Sequence, residues 1–124
     1  MQTYLIVPCF NEANRFQSDY WKTLSKNTKI QLIFVNDGST DGTDILLRDF
    51  CKRNRASLIN LQKNIGKANA IREGFLQSNI DAKSAVGFLD ADSAFTLETV
   101  NSFVSLFFNL FNWHVKSNFC LVYL

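Results

Sequence analysis

Short runs of consecutive apolar residues recur along the chain, and each run ends at a cluster of polar residues. Both alternating faces of such a run are apolar, which is typical of strands in a parallel sheet that is covered on both sides. A segment at 119–124 is a candidate for a fifth strand. The other runs predict strands at about Thr3–Val7, Ile30–Val35, Ser57–Leu61 and Val86–Leu89.

Between these runs, apolar residues recur at helical spacing, as in Phe16, Tyr20, Trp21 and Leu24. The alternation of strands and helices predicts an α/β fold with a mostly parallel sheet flanked by helices. In the last helix, phenylalanine and leucine residues widen the apolar stripe almost to the full circumference. The later helices are predicted around Ile45–Phe50, at about Ala68–Gln77 and from Thr96 to about Val115.

The composition limits the class of protein. A chain of 124 residues suits one domain, and a hydrophobic content of 47% indicates a globular chain with a real core. The net charge of +2 is too small to indicate binding to nucleic acid. Three widely spaced cysteines indicate neither a disulfide framework nor a zinc site, and the N-terminal segment lacks the basic start of a signal peptide. These features predict a cytoplasmic setting.

Polar residues follow the predicted strands at Glu12, Asp37, Asn64 and the pair Asp90 and Asp92. The carboxyl ends of parallel strands lie at one rim of the sheet, and open α/β sheets bind ligands at that rim. The chain contains neither the glycine-rich dinucleotide motif nor the P-loop motif. An acidic rim without these motifs needs a bridging divalent cation to hold phosphate groups.

Asp90 and Asp92 end the last apolar run and lie two residues apart. Residues at this spacing project from the same face of an extended chain, so the two carboxylates can converge. Their oxygens suit Mg²⁺ or Mn²⁺, with phosphate and water as the remaining ligands. Alternatively, Asp92 or Ser93 only caps the helix that begins near Thr96. Lys67, near the start of another helix, could meet a phosphate there or be a solvated surface residue.

Four motifs follow the predicted strands in order, namely Val7–Glu12, Val35–Thr43, Asn64–Ala68 and Asp90–Asp92. Together they resemble the ordered signatures of family 2 glycosyltransferases, particularly the branch similar to dolichyl-phosphate sugar synthases. The resemblance implies a Rossmann-like GT-A domain that binds a nucleotide-diphosphate sugar, linked to UDP or GDP, together with Mg²⁺ or Mn²⁺.

The resemblance also implies roles for single residues. Asp37 would accept a hydrogen bond from the base, which suits a carboxylate because it is only an acceptor. Lys67 would lie near the nucleotide, and Asp90 and Asp92 would form the D-x-D pair that serves the ribose, the metal and the diphosphate. The residues implied to line the nucleoside pocket are Pro8, Phe10 and Glu12.

Members of this family continue into an acceptor-binding half that supplies the catalytic base, whereas no acidic residue follows Glu98 here. We therefore expect residues 1–124 to be one truncated, donor-binding domain, and we assign no catalytic base. The resemblance implies a polyprenyl phosphate as an acceptor, met at the cytoplasmic face of a membrane. The Phe-rich last helix predicts self-association, because its covering layer would be missing.

Two alternatives remain open. The chain could be a non-catalytic nucleotide-binding fragment, which would share every donor-side residue with the enzyme. The segment Phe88–Ser93 also resembles the nucleophile motif of haloacid-dehalogenase-type phosphatases. That motif normally opens its domain and requires later residues for which this chain has no room, so the phosphatase is the more remote alternative.

Overall fold

The computed structural model describes residues 2–114 and 120–123, in which strands alternate with helices. All predicted elements are present, with ends shifted by a few residues, and the predicted ends at Val115 and Leu124 lie outside the described residues. The strands are β1 (Thr3–Cys9), β2 (Ile30–Asp37), β3 (Ala56–Leu61), β4 (Ala85–Phe88) and β5 (Cys120–Tyr123). The helices are α1 (Ser18–Ser25), α2 (Thr43–Arg53), α3 (Lys67–Gln77) and α4 (Leu97–His114).

The five strands form one sheet in the order β3-β2-β1-β4-β5, and every pair is parallel. This arrangement confirms the predicted α/β fold. In the centre, Thr3 of β1 lies opposite Ile30 of β2 on one side and opposite Ala85 of β4 on the other. The strand order reverses beside β1, and open α/β sheets bind their ligands at such a reversal.

Helices cover both faces of the sheet. One face carries α1, α2 and α4 over an aromatic core, in which the Phe34 ring lies edge-on to Trp21 at 5.3 Å and to Phe50 at 5.6 Å between centroids. The other face carries α3, and a Cβ added at Gly74 would come within 2.7 Å of a methyl group of Ile6. The small residues of α3 therefore allow this helix to pack close to the sheet.

Strand β1 continues through Pro8 to Cys9, two residues beyond its predicted end. Proline cannot donate a hydrogen bond to a sheet, which is why the sequence indicated an end there. However, β4 pairs with β1 only as far as Ile6, whose carbonyl accepts the Leu89 amide at 2.9 Å. In a strand, the backbone N–H and C=O groups of residues i and i+2 point to the same side. The nitrogen of Pro8 therefore points toward β4, as the backbone groups of Ile6 do, but at a level where β4 has already ended.

Helix α4 is only partly covered by the rest of the chain. Val100 and Val104 are buried in the core, whereas Phe103, Leu106 and Leu110 are 39%, 52% and 55% exposed. The described part of α4 therefore has a buried side and an apolar side that faces solvent. Within the described residues, the chain has no helix whose length and apolar character would let it cross a membrane.

Candidate functional site

A cleft of about 350 Å³ opens at the carboxyl ends of β1, β2 and β4. Its walls come from the loops that follow these strands and from the start of α3. Every residue that the sequence predicted for the site lines this cleft: Pro8, Phe10, Glu12, Asp37, Lys67, Asp90 and Asp92. Other lining residues include Cys9, Arg15, Asn64, Gly66 and Ala91.

Hydrogen bonds join the loop after β1 to the loop after β2. The Asn11 amide donates to the Ser39 hydroxyl at 3.0 Å, and the Asn11 side-chain oxygen accepts the Thr40 amide at 2.9 Å. Asn11 has a φ of 51°, a left-handed conformation that asparagine tolerates better than most residues. The Glu12 amide donates to the hydroxyl of buried Thr43 at 2.9 Å. These contacts fix one wall of the cleft.

Asp41 adds a further contact between the same two loops. Its carboxylate accepts the Thr43 amide at 2.9 Å, the Thr43 hydroxyl, and the Ala13 amide at 3.3 Å. The hydrogen bonds from Thr43 lower the pKa of Asp41 below its ordinary value. A lowered folded-state pKa gives stability that is present above the unfolded-state pKa and is lost as the pH falls through the folded-state pKa. This contact therefore weakens only in acid.

Asp37 is the last residue of β2 and is only 3% exposed. One of its carboxylate oxygens accepts the Ile65 amide at 2.8 Å, and the other accepts the Gly66 amide at 3.0 Å. The Asp37 carbonyl accepts the side-chain amide of Asn64 at 3.3 Å. The predicted contact between Asp37 and a base stays a prediction. The structure shows in addition that this carboxylate orders the loop before α3.

Two glycines allow the loops around Asp37 to pack closely. Gly38 has a φ of 65°, and a Cβ built there would lie 2.3 Å from the backbone nitrogen of Asn64. Gly66, immediately before α3, has φ 89° and ψ 157°, a region that is open almost only to glycine. The loops after β2 and β3 therefore meet main chain against main chain.

Lys67 is the first residue of α3, and its Nζ forms an ion pair with Oδ1 of Asp90 at the rim of the cleft. Both side chains are about half exposed, at 53% and 50%, so this pair adds little to the stability of the fold. Nζ also lies 5.5 Å from the centroid of the Phe88 ring. The ion pair places a positive charge beside the predicted metal-binding carboxylates.

The carboxylate of Asp92 belongs to the cleft and not to the start of α4. One Asp92 oxygen accepts the Ala94 amide at 3.0 Å, which closes a short turn. The helix begins at Leu97, and the Thr96 hydroxyl accepts the Thr99 amide at 3.1 Å. Thr96 is thus the cap, and the alternative in which Asp92 or Ser93 caps this helix is wrong.

Arg15 is a cleft residue that sequence reasoning missed. Its amide donates to the Glu12 carbonyl at 2.9 Å, which forms one turn, and its Nη2 donates to Oε1 of Glu12 at 2.9 Å. Oε2 of Glu12 is buried and has no hydrogen-bond partner among the described residues. The signal in the sequence was an acidic residue followed three positions later by a basic residue, because side chains at this spacing on a helical turn are neighbours.

Neither Cys9 nor Cys51 offers a reactive thiol. Burial, reinforced by the charge of Glu12, raises the pKa of Cys9 far above its ordinary value. Burial also raises the pKa of Cys51 to about 11. A thiol that stays protonated is a poor nucleophile.

Burial and then the charge of Asp92 raise the pKa of Tyr20, whose hydroxyl donates to the Phe95 carbonyl at 2.8 Å.

The acidic pair fits a divalent metal whose coordination is completed by a ligand. Asp90 and Asp92 present hard oxygen donors, and the ammonium group of Lys67 shows that a positive charge is accommodated beside them. Across the described ranges, no group of three or more His, Cys, Asp or Glu side chains is placed to hold a metal ion. These two residues would hold such a metal, and phosphate and water would supply its other ligands.

Comparison with a family model and comparison with individual protein sequences agree with each other. The family described as "Glycosyl transferase family 2" matches residues 4–111. The poly-β-1,6-N-acetyl-D-glucosamine synthase of Staphylococcus epidermidis is 35% identical over 89 residues, which cover 71% of this chain and 21% of that protein. The Staphylococcus aureus synthase of the same name is 36% identical over 92 residues, covering 73% and 21%. The chain thus spans about a fifth of the length of these relatives.

Comparison with solved structures identifies the fold. The crystal structure of Staphylococcus aureus TarS 1-349 in complex with UDP-GlcNAc matches with a TM-score of 0.67 and 19% sequence identity. The match covers 88% of this chain and 32% of that one, and it supports the predicted GT-A architecture. The closer relation to dolichyl-phosphate sugar synthases stays a prediction. Because the family match extends over most of its length, the chain belongs to the family 2 glycosyltransferases.

Proposed function

We propose that this chain is the donor-binding part of a glycosyltransferase whose donor is UDP-N-acetylglucosamine, bound together with Mg²⁺ or Mn²⁺. The proposal rests on the observation that all seven predicted site residues line the same cleft. A UDP-linked donor is favoured over a GDP-linked donor because TarS was crystallised with UDP-GlcNAc and with UDP. The names of the related synthases favour N-acetylglucosamine as the sugar.

The nucleoside end of the cleft combines apolar surface with hydrogen-bond acceptors. Phe10, which is 44% exposed, and Pro8 provide surface against which a base can pack. Asp37 and the unpartnered Oε2 of Glu12 are acceptors for a base N–H or a ribose hydroxyl. This end therefore suits a nucleoside that presents N–H and O–H donors.

The opposite end carries the charged groups that suit a diphosphate. Asp90 and Asp92 would hold the metal, which when bound neutralises the departing diphosphate as a Lewis acid and template. Lys67 forms an ion pair with Asp90. On donor binding, Asp90 would exchange this ammonium group for the metal, and Lys67 would be free to meet a phosphate oxygen.

The acceptor and the cellular location belong to the proposal. A polyprenyl phosphate at the cytoplasmic membrane face is the acceptor that the sequence resemblance implies. A growing saccharide is a second candidate, because the related enzymes are named as synthases of a polysaccharide. Since no acidic residue follows Glu98, we assign the catalytic base to no residue of this chain.

The first prediction concerns metal-dependent binding of UDP. We expect UDP to bind at least about tenfold more tightly with Mn²⁺ than with excess chelator, since about 1.4 kcal/mol of relieved repulsion produces this change. Isothermal titration calorimetry with UDP and GDP measures the effect, and GDP should bind more weakly. Uridine, which lacks the diphosphate, is the control and should be insensitive to Mn²⁺. Equal UDP affinity with and without metal would contradict the assignment of Asp90 and Asp92.

A transfer assay separates the enzyme from its alternatives. Transfer of N-acetylglucosamine to a polyprenyl phosphate or to an oligosaccharide by this chain would exclude the non-catalytic fragment. Binding of UDP-N-acetylglucosamine without transfer would support that fragment. The match to the glycosyltransferase family leaves the haloacid-dehalogenase-type phosphatase without support.

The second prediction concerns self-association through α4. Phe103, Leu106 and Leu110 form an exposed apolar side on this helix, and burying it in a second copy would remove that surface from water. We expect the chain to form dimers or larger species at micromolar concentration, and Leu106→Glu to shift them toward monomer. Sedimentation velocity measures the distribution, and Ile45→Glu, on exposed α2 surface, is the matched control. A wild-type chain that stays monomeric would contradict the prediction.

A further inference from the structure

We propose that Asp37 is a positioning residue that acts at the phosphate end of the cleft by fixing the loop before Lys67. This inference rests on the proposed function and adds a task for Asp37 beyond any contact with a base. It predicts that loss of this carboxylate weakens binding of a diphosphate that carries no nucleoside.

The contacts of the Asp37 carboxylate support this role. Both oxygens accept main-chain amides of consecutive residues, Ile65 at 2.8 Å and Gly66 at 3.0 Å. Asp37 lies at the end of β2 and is 3% exposed, so its carboxylate holds the segment before α3 against the end of this strand. Hydrogen bonds to an ionised acceptor are about twice as strong as those between neutral groups. The carboxylate therefore fixes this loop at two consecutive residues.

The segment that Asp37 holds leads directly to the charged end of the cleft. Gly66 precedes α3 in a conformation that other residues rarely adopt, and Lys67 follows as the first residue of the helix. The position of the Lys67 ammonium group beside Asp90 therefore depends on the path of the two preceding residues. Releasing their amides would let the start of α3 move.

An asparagine at position 37 would remove this support with little change in shape. The amide oxygen can accept one of the two main-chain N–H groups, but the side-chain NH₂ group is a donor and would face the other. One loop amide would then lose its partner, and two donors would oppose each other. Asp37→Asn thus tests the carboxylate while keeping the volume of the side chain.

The experiment uses Mn²⁺-pyrophosphate as the probe, because it has no base and no ribose. We expect Asp37→Asn to weaken its binding by about 1.5-fold to fivefold, the range for one exposed charge contact. Lys67→Met should have a similar effect, and the double variant should bind no more weakly than Lys67→Met alone. Calorimetry measures the four affinities as a double-mutant cycle.

A ligand-free measurement tests the same mechanism independently. Amide hydrogen exchange at Ile65 and Gly66 should become faster in Asp37→Asn, while exchange in the β1–β2 ladder stays slow. Ser57→Ala is the control, because it alters an exposed side chain near β2 without touching this loop. Unchanged exchange at both amides would overturn the proposal even if the variant binds nucleotide weakly.

The outcomes separate this inference from the proposed function. If Asp37→Asn weakens UDP binding but leaves Mn²⁺-pyrophosphate binding unchanged, Asp37 affects binding only at the nucleoside end and the inference is overturned. If the wild-type chain binds neither UDP nor Mn²⁺-pyrophosphate, the proposed function fails, and with it the role at the phosphate end. Two results together support the inference. Amide hydrogen exchange at Ile65 and Gly66 becomes faster in Asp37→Asn, and the affinity losses of Asp37→Asn and Lys67→Met do not add in the double variant.

Discussion

Gly38→Ala is expected to lower the free energy of unfolding by about 2–5 kcal/mol. A left-handed backbone costs a residue with a Cβ about 1–2 kcal/mol, and overpacking adds about 1–3 kcal/mol. Gly38 has a φ of 65°, and the new Cβ would lie 2.3 Å from the Asn64 nitrogen and from the Lys63 carbonyl carbon. Both are backbone atoms, so no flexible side chain can move aside.

Urea unfolding followed by circular dichroism measures this loss, and a second glycine provides the control. Gly42 has a φ of −77°, and a Cβ there would meet the Ala13 Cβ at 3.8 Å, an ordinary contact. Gly42→Ala should therefore change the free energy of unfolding by no more than about 1 kcal/mol, because alanine lowers the entropy of the unfolded chain but is a poorer N-cap for α2 than glycine. Similar stability losses at positions 38 and 42 would show that the loop contact is not the cause.

The sequence predicted the fold because β1, β2 and β4 are largely buried on both faces and consist mainly of continuous apolar runs. The polar residues that end those runs, such as Glu12 and Asp90, had to meet at one rim once the strands were parallel. Topology alone therefore brought the predicted residues into one cleft. The error at Pro8 arose because the length of the neighbouring strand β4 is not visible in the pattern of β1.

The contacts within the cleft were not predictable in the same way. The need for glycine at position 38 comes from the backbone of Asn64, far along the chain. The amides that donate hydrogen bonds to Asp37, and the lysine that pairs with Asp90, likewise come from distant parts of the sequence. Such contacts depend on loop paths that local residue patterns do not specify. The sequence thus predicted which side chains line the same cleft, but not which of them also hold its loops together.

Asp92→Asn is expected to remove most of the metal dependence of UDP binding. In the proposed function Asp92 would bind the metal directly, and loss of even an outer-shell partner costs about 10- to 100-fold in metal affinity. Calorimetry should therefore give nearly equal UDP affinities for Asp92→Asn in Mn²⁺ and in chelator. Asp19→Asn, on α1 and outside the lining of the cleft, is the charge-matched control and should keep the wild-type dependence.

Lys67→Met should act in the opposite direction on the metal alone. The Lys67 ammonium group pairs with Asp90, so its removal leaves an oxygen of Asp90 available to a metal and lowers the positive charge at the rim. We expect Mn²⁺ alone to bind Lys67→Met more tightly than wild type, and to bind Asp92→Asn more weakly, as measured by electron paramagnetic resonance of free Mn²⁺. Weaker Mn²⁺ binding by Lys67→Met would mean that the lysine supports the acidic pair and does not compete with the metal for it.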